Sequence, residues 1–235
     1  APQPQRGQGL TLGRRLGQHF LASRSILERI AQSVFASNPA TIVEIGPGRG
    51  ALTEYLLQQG AHVHAIELDP AMVDALARRF PAHPRLTVHH ADVLDTDLAQ
   101  WGPAALAGNL PYYITSPILD RIRRARAVLS SSTLLMQKEV AQRLLARPGS
   151  RDYGYLTVVT QSWATVSHVI HVPPAAFRPP PKVDSSVVNL APLPDVPDDL
   201  DDFLTFAGHA FRQKRKNLRN NLRIAYPNAP WDELD

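Results

Sequence analysis

The sequence contains no cysteine, and this absence limits both its structure and its chemistry. Without cysteine there is no disulfide bond, no thiolate ligand for zinc and no cysteine nucleophile, so enzyme classes that require one are excluded. A run of about 18 apolar residues, the length of a membrane span, is also missing. The opening segment Ala1–Gly9 lacks the apolar core of a secretion signal. A cytoplasmic protein is therefore expected.

The composition that remains favours a globular chain with an anionic partner. Of the 235 residues, 44% are hydrophobic, which is enough for one large domain or two modest ones. The formal net charge is +4 and the pI is about 9.6. Because this excess is modest, it indicates a polyanionic partner only if the basic residues are concentrated on one surface.

The stretch Thr41–Leu56 predicts a strand, a tight glycine turn and a helix in immediate succession. Its β-branched start is typical of a buried parallel strand, and Gly46, Gly48 and Gly50 mark the turn that follows. Glycine ahead of a helix lets a ligand approach the backbone N–H groups at the positive helix end. Because the GxGxG spacing differs from the GxGxxG dinucleotide fingerprint, a nicotinamide site is weakened as an interpretation but stays open.

Two carboxylates follow the glycine turn at predicted strand ends. Glu67 closes a second strand, His62–Glu67, at the distance of about 20 residues at which an acid accepts hydrogen bonds from ribose hydroxyls. Asp92 follows a third strand, Leu86–Val88, and a carboxylate there can accept the amino group of a bound adenine. Two acids without a P-loop lysine predict an adenosine ligand rather than a phosphate.

Four histidines are close together in the same part of the sequence: His62, His64, His89 and His90. They alternate or are adjacent along predicted strands, so they lack the spacing of metal ligands. They are interpreted as surface residues, and no metal site is predicted.

The segment Leu106–Pro117 is predicted to carry the chemistry. A fourth strand ending near Gly108 places the next residues at the carboxyl edge of the sheet, where open α/β folds bind substrates. Asn109 offers an amide oxygen, Pro111 stiffens the backbone so that neighbouring carbonyls point outward, and Tyr112 offers a face for a base. A pocket for a planar amine is predicted there, with an ordinary proline turn as the alternative.

The next part of the chain predicts an antiparallel edge and a stiff loop. Val166–Val172 and Val183–Leu190 have the alternation of two strands. Between them, Phe177–Lys182 contains three successive prolines, which form a rigid polyproline connector. Such a loop is also able to hold the Phe177 ring against a base, and the two interpretations are compatible.

A basic helix is predicted after a composition change at Pro192–Pro194. It begins near Phe203 and carries an apolar stripe next to a basic face. The basic residues on that face are Arg212, Arg215, Lys216, Arg219 and Arg223. No acid occurs between positions 210 and 225, so a surface for the RNA backbone is favoured over an ordinary solvated face.

Six segments in this order resemble one known family: GQHFL, EIGPGRGALT, ELD, ADVL, NLPYYITSP and FRPPPKVDSSVV. Together they are similar to the bacterial 16S ribosomal RNA adenine dimethyltransferases, the kasugamycin-sensitivity enzymes, from Gly17 to about Arg223. The resemblance implies a Rossmann-like class I methyltransferase, an α/β fold with a seven-stranded, mostly parallel sheet, one antiparallel edge strand and a small C-terminal helical domain. It also implies methyl transfer from S-adenosylmethionine to the exocyclic amines of two adjacent adenines in 16S ribosomal RNA.

The resemblance also assigns roles to particular residues. S-adenosylmethionine would be held by Gln18, His19, Leu21, Gly46, Gly48, Glu67, Asp92 and Asn109. The target amine would meet the Asn109 side chain and the Leu110 carbonyl, beside Pro111. Its adenine ring would stack between Tyr112 and Phe177.

These expectations divide the chain into three parts. A flexible basic segment is expected at 1–16, a catalytic S-adenosylmethionine-binding domain at 17–191 and a helical RNA-binding domain at 195–235. The family's helical domain usually continues further, so an incomplete one is expected here. The implied partner is ribosomal RNA in a small ribosomal subunit or an assembly intermediate, bound by a monomeric enzyme.

Three other functions stay open. A 23S ribosomal RNA dimethyltransferase that confers antibiotic resistance would share the pocket, although PPPKVDSS and the basic helix favour the 16S branch. A ribosome-assembly factor that binds RNA without catalysis would not need the intact motif from Asn109 to Tyr112. A nicotinamide oxidoreductase would bind NAD instead of S-adenosylmethionine.

Overall fold

The computed structural model describes residues 19–111, 113–213 and 216–231 of the chain. The strands are β1 (Phe20–Leu21), β2 (Thr41–Ile45), β3 (His62–Glu67), β4 (Leu86–His90), β5 (Ala104–Asn109), β6 (Leu129–Gln137), β7 (Ala164–Val172), β8 (Phe177–Arg178) and β9 (Ser185–Pro192). The helices are α1 (Arg24–Val34), α2 (Ala51–Gln58), α3 (Pro70–Arg79), α4 (Thr115–Arg124), α5 (Lys138–Leu145), α6 (Tyr155–Gln161), α7 (Leu200–Ala210) and α8 (Leu218–Ala225). Over these ranges, every helix falls short of the length and apolarity needed to cross a membrane.

Seven of the strands form one sheet in the order β4-β3-β2-β5-β6-β9-β7. The first five strands of this order, from β4 through β3, β2 and β5 to β6, pair in parallel. Strand β9 runs antiparallel to both of its neighbours, β6 and β7. The predicted seven-stranded, mostly parallel sheet is confirmed, with its antiparallel pairing at the expected edge. The reversed strand β9 lies one place inside the edge strand β7, because the connection between them contains no crossover helix.

The order of the sheet reverses between β2 and β5. Strands β3 and β4 lie on one side of this point, and β6 lies on the other. In open α/β sheets, such a reversal opens a crevice at the carboxyl ends of the strands. The glycine turn after β2, Glu67 at the end of β3 and Asn109 at the end of β5 all lie at this edge.

Apolar side chains cover both faces of the sheet. Leu106 and Leu134 belong to the core on one face, while Val34 and Leu56 belong to the core on the other face, under α1 and α2. All four residues are fully buried. Burial on both faces explains why strand β5 is apolar from Ala104 to Ala107 instead of alternating.

Helix α7 joins the core on one face of the sheet through its apolar residues. Leu200 and Leu204 are part of the same core as the buried residues of β5 and β6. The prediction that a separate RNA-binding domain begins at residue 195 stays a prediction.

The prediction of one continuous helix from about Phe203 is wrong, because a turn separates α7 from α8. The buried side chain of Asn221, in α8, bonds to this turn: its Oδ1 accepts from the Gln213 N–H at 3.0 Å and its Nδ2 donates to the Gln213 carbonyl at 3.1 Å. The side chain of Asn217 caps α8 by accepting from the Asn220 N–H at 2.9 Å. Side chain to backbone bonds of this kind replace helical hydrogen bonds. Of the predicted basic residues that the structure describes, Arg212 and Lys216 are therefore separated from Arg219 and Arg223, which lie in α8.

Candidate active site

A cavity of about 380 Å³ lies at the carboxyl edge of the sheet. Its volume is within the range of about 300–1,000 Å³ that small-molecule sites occupy. The predicted site residues that line it are His19, Leu21, Gly46, Gly48, Glu67, Asp92, Asn109, Leu110 and Pro111. The fold therefore brings together segments that are far apart in the sequence. Gln18 and Tyr112, which were also predicted here, lie outside the described residues.

The glycine turn forms one wall of the cavity, and Glu67 holds it in place. Gly48 has a φ of 56°, in the left-handed region, and a Cβ added there would lie 3.1 Å from Cε1 of Phe20. Glycine has no Cβ, so it avoids both the strain of this φ and the tight contact with Phe20. The Glu67 carboxylate accepts from the Gly48 N–H at 3.0 Å and from the Asp69 N–H at 2.9 Å.

Glu67 is 5% exposed, and this burial raises the pKa of its carboxyl group. Hydrogen bonds from the backbone, which favour the charged form, act against this rise in pKa. Each carboxylate oxygen has a second lone pair beyond the backbone bond it accepts. Glu67 is thus able to shape the turn and accept from ligand hydroxyls at the same time.

Asp92 lies on the same cavity, after the end of β4. Its side chain is half-buried, and its Oδ1 accepts from the Leu94 N–H at 2.8 Å. This local bond fixes the carboxylate at the edge of the sheet, where the sequence placed an acceptor for an adenine amino group.

A third acid, Glu44, lines the cavity and was not singled out from the sequence. It is 1% exposed and accepts from the Thr53 hydroxyl at 2.7 Å. Burial and, to a smaller extent, the nearby charge of Glu67 raise the pKa of Glu44 to about 7, although the Thr53 hydrogen bond acts against this rise. The signal in the sequence was an acid in the middle of an otherwise apolar strand.

Replacing Glu44 with Gln is expected to change how stability depends on pH. Because its pKa is raised from 4.5 to about 7, the folded chain holds this proton more tightly than the unfolded chain does. The stability gained in this way is fully present below pH 4.5 and is lost as pH rises to 7, by about 3 kcal/mol. Glutamine has no proton to lose, so thermal melts should show a Tm above the parental value at pH 8, by roughly 5–10 °C.

The Tm values of the parent and the Glu44→Gln variant should converge near pH 5. The matched control is Glu139→Gln, which removes an exposed carboxyl group on α5 and should leave the parental pH profile in place. Identical pH profiles for the parent and the Glu44→Gln variant would contradict a proton held in the buried site.

The end of β5 and the loop after it place a side-chain acceptor at the cavity. The amide Nδ2 of Asn109 donates to the His19 carbonyl at 3.2 Å, which leaves its Oδ1 as the acceptor on this side chain. The Leu110 N–H donates to the Leu135 carbonyl at 2.9 Å and ties the loop to β6. The Pro111 carbonyl accepts from the Ile114 N–H at 3.2 Å, which closes the turn into α4.

The triproline loop holds the segment that contains His19. Strand β1 pairs with β8, so that Phe20 lies opposite Arg178 and Leu21 lies opposite Phe177. The His19 ring forms a hydrogen bond of 2.9 Å with the Pro179 carbonyl. The loop therefore acts as a strap that positions one wall of the cavity.

The structure does not place Phe177 as the sequence predicted. Its side chain is 0% exposed and belongs to the apolar core that also contains Leu21. A ring that stacks on a base needs an open face, and this ring has none in the structure. The sequence pattern identified a rigid loop but did not indicate which way its aromatic side chain points.

Two aromatic residues at the cavity were missed because neither stood out from its segment. Tyr113 is 61% exposed and lines the cavity. Phe20 also lines it, and the Arg49 guanidinium lies 4.8 Å from the centre of the Phe20 ring. Both rings offer apolar surface to a planar ligand.

The predicted RNA-binding residues differ in their surroundings. Arg212 and Lys216 are exposed in or beside the turn between α7 and α8. Arg219 donates to the Trp231 carbonyl at 2.7 Å, and the Arg223 guanidinium lies 6.0 Å from the centre of the Trp231 ring. Arg215 lies outside the described residues.

The four clustered histidines were interpreted as surface residues. Only His90 among them is exposed, whereas His62, His64 and His89 are half-buried. His64 forms a hydrogen bond of 3.1 Å with His89 and stacks on Trp101 with the ring centres 5.2 Å apart. Burial, together with the neighbouring His62 and His89, lowers the pKa of His64 to about 4. Within the described ranges, no group of three or more potential ligands is arranged to hold a metal ion.

Known proteins resemble this chain over most of its length. A family model described as ribosomal RNA adenine dimethylase matches residues 9–234. Ribosomal RNA small subunit methyltransferase A of Geobacter sulfurreducens is 42% identical over 239 residues, which is 97% of this chain and 86% of that protein. The enzyme of the same name from Alcanivorax borkumensis is 41% identical over 217 residues, which is 89% of this chain and 77% of that protein.

Solved structures give the same assignment. A dimethyladenosine transferase from Plasmodium falciparum superposes with a TM-score of 0.76 and 29% identity, over 87% of this chain and 75% of that one. The 23S rRNA methyltransferase ErmE superposes with a TM-score of 0.71 and 29% identity, over 88% of this chain and 85% of that one. Fold, cavity and sequence agree, and the chain belongs to the ribosomal RNA adenine dimethylase family.

Proposed function

We infer that this protein dimethylates the exocyclic amines of two adjacent adenines in 16S ribosomal RNA, with S-adenosylmethionine as methyl donor. The observation that carries this inference is the acceptor oxygen of Asn109, which the His19 carbonyl orients at the edge of an adenosine-sized cavity. We place the reaction in the cytoplasm, on a small ribosomal subunit or an assembly intermediate, with one copy of the chain sufficient for activity.

The residues of the cavity fit S-adenosylmethionine. Glu67 and Asp92 provide acceptors at neighbouring strand ends for the ribose hydroxyls and the adenine amino group. The turn at Gly46 and Gly48 leaves the backbone without side chains where the ligand must approach. When bound, S-adenosylmethionine supplies an electrophilic methyl group on its sulfonium.

The chain contributes orientation and charge stabilisation at the target amine. The lone pair of an adenine amine is delocalised into the ring, so the amine is a weak nucleophile in its planar form. The Asn109 Oδ1 and the Leu110 carbonyl accept hydrogen bonds from the amine. These bonds favour a non-planar amine, which is the better nucleophile. The same oxygens stabilise the positive charge that develops on the nitrogen, and no general base is required before attack.

The target base must leave its stack to reach this acceptor. We assign Tyr112 to stack on the extruded ring, as the sequence predicts, beside the exposed Tyr113. Phe177 acts from the core in this conformation, because it fixes the strap that holds His19 against Asn109.

The 23S alternative is supported by the similarity to ErmE, whereas the curated relatives at about 40% identity are named for the small subunit. Labelled S-adenosylmethionine incubated with purified small and large subunits separates the two functions. Label in 16S ribosomal RNA alone is expected, and label in 23S ribosomal RNA would select the alternative. Calorimetry with S-adenosylmethionine and NAD tests the oxidoreductase, which requires binding of NAD.

Replacing Glu67 with Ala is expected to weaken binding of S-adenosylmethionine. Hydrogen bonds to a charged acceptor contribute about 1.5–3 kcal/mol, so the dissociation constant should rise roughly tenfold or more. Isothermal calorimetry measures this change, and Glu139→Ala on the exposed face of α5 is the control. A parental affinity in the Glu67→Ala variant would remove this residue from the cofactor site.

Replacing Arg212 and Lys216 with Gln is expected to weaken RNA binding without sequence preference. Each lost phosphate contact should reduce the slope of log affinity against log salt by up to about 0.7–0.9. Binding of S-adenosylmethionine should be unchanged, because both residues are absent from the lining of the cavity. If the double variant keeps the parental slope, these two residues form an ordinary solvated surface.

A further inference from the structure

A second cavity, of about 480 Å³, lies between the end of α1 and the edge of the sheet formed by β6, β9 and β7. We call it the serine cavity, because five of its lining residues are Ser33, Ser37, Ser130, Ser131 and Ser167. Among the residues that the structure describes, none lines both this cavity and the active-site cavity. The proposed methyl transfer gives it no role.

The floor of the serine cavity contains a hydroxyl group without a partner. Ser131 is 7% exposed, and its Oγ is buried with no hydrogen-bond partner in the described part of the chain. It lies two residues before Thr133 in β6, so both side chains are on the sheet face that α1 covers. A buried polar group that has no partner is costly, and its position on a cavity indicates that something else completes it.

Fixed hydrogen bonds hold the surrounding side chains in place. The Thr133 hydroxyl bonds to Ser33 at 3.1 Å and accepts from the Asn189 amide at 2.9 Å. The hydroxyls of Ser37 and Ser130 lie 3.0 Å apart across the rim. A ligand would therefore meet hydroxyl groups that are already ordered, at little further cost in entropy.

The charge of the serine cavity selects the class of ligand. Arg29 lies on its rim, is exposed and makes no ion pair or hydrogen bond with the described residues. His168 also lines it, and none of the described lining residues is acidic. A guanidinium group beside several hydroxyl donors, with no carboxylate to repel an anion, matches the oxygens of a phosphate group.

We propose that the serine cavity binds a phosphodiester of the RNA substrate, with Arg29 and the Ser131 hydroxyl as its main donors. This proposal rests on the proposed function, which makes RNA the substrate. Ser131 stands four residues before Leu135, a lining residue of the active-site cavity. The strand rise places these two lining residues roughly 13 Å apart along β6. One RNA molecule can span that distance. The same RNA can therefore contact the serine cavity, the active site and the basic C-terminal residues.

Binding of purified 16S ribosomal RNA, measured over a series of salt concentrations, tests the role of Arg29. The Arg29→Gln variant should bind less tightly and show a slope of log affinity against log salt that is shallower by up to about 0.7–0.9. The matched control is Arg78→Gln, which removes an exposed arginine in the last turn of α3 and should keep the parental slope. A parental slope in Arg29→Gln would overturn the proposal.

The Ser131→Ala variant separates ligand binding from a structural role. Removing an unpartnered buried hydroxyl should leave Tm equal or higher, whereas the affinity for RNA should fall several-fold. A lower Tm together with parental RNA affinity would show that the hydroxyl serves the fold, through an internal water molecule, and would overturn the proposal.

Calorimetry with S-adenosylmethionine keeps this test distinct from the test of the proposed function. Both variants should bind the methyl donor as the parent does, because neither residue lines that cavity. Failure of the parent to methylate 16S ribosomal RNA would refute the proposed function, while the comparison of salt slopes between Arg29→Gln and Arg78→Gln would still decide the phosphate contact.

Discussion

Replacement of Asn109 by Ala is expected to lower the single-turnover rate of methylation by about 10²–10³, with RNA affinity close to the parental value. The substitution removes the side-chain oxygen that we propose orients the target amine and stabilises its developing charge. We propose that RNA binding depends on residues elsewhere, so the loss should appear in the chemical step. Rapid-quench kinetics at saturating RNA measure that step directly.

The Asn109→Asp variant is the matched comparison. It keeps an acceptor oxygen at the same place but loses the N–H that donates to the His19 carbonyl at 3.2 Å in the parent. Its rate should fall between those of the parent and Asn109→Ala, because the acceptor is present but less well oriented. Formation of dimethyladenosine by Asn109→Ala at the parental rate would exclude this residue from catalysis.

The second large effect is expected at Phe177, and it concerns stability. Its ring is 0% exposed in the apolar core beneath the strap. Truncating a buried Phe to Ala leaves a cavity and commonly costs about 3–5 kcal/mol. Urea unfolding of Phe177→Ala should show a loss of that size.

Phe177→Leu distinguishes a packing role from base stacking. Leucine retains most of the apolar volume but has no aromatic face, so packing alone predicts a small loss of stability and nearly parental turnover. A stacking role predicts that Phe177→Leu keeps the parental stability but binds the flipped base more weakly, by about 1–3 kcal/mol. Single-turnover kinetics and unfolding of the same sample give both quantities.

The parts of the fold that sequence could predict depend on local signals. The strand from Thr41 to Ile45 and the glycine turn after it are specified by β-branched residues and by glycines with positive φ. The strand His62–Glu67 ends at the predicted acid, because an apolar run followed by Asp and Pro marks a strand end and a helix start. Neighbouring residues decide these features, so one sequence is enough to find them.

The features that sequence missed depend on contacts between distant segments. Phe177 is buried because β8 pairs with β1, more than a hundred positions earlier in the chain. Glu44 shares its cavity with Glu67 only after β2 and β3 have paired. The break between α7 and α8 depends on hydrogen bonds of the buried Asn221 side chain. An asparagine at this position does not by itself indicate whether the chain forms a helix or a turn. No periodicity in the sequence encodes these relations.

Mass spectrometry of nucleosides from 16S ribosomal RNA, after reaction of purified small subunits with labelled S-adenosylmethionine, tests the central claim most directly. The account predicts N6,N6-dimethyladenosine at two adjacent positions, with monomethyladenosine as a transient species in single-turnover samples. Reaction that stops at monomethyladenosine on competent subunits, or label confined to other nucleosides, would contradict the account.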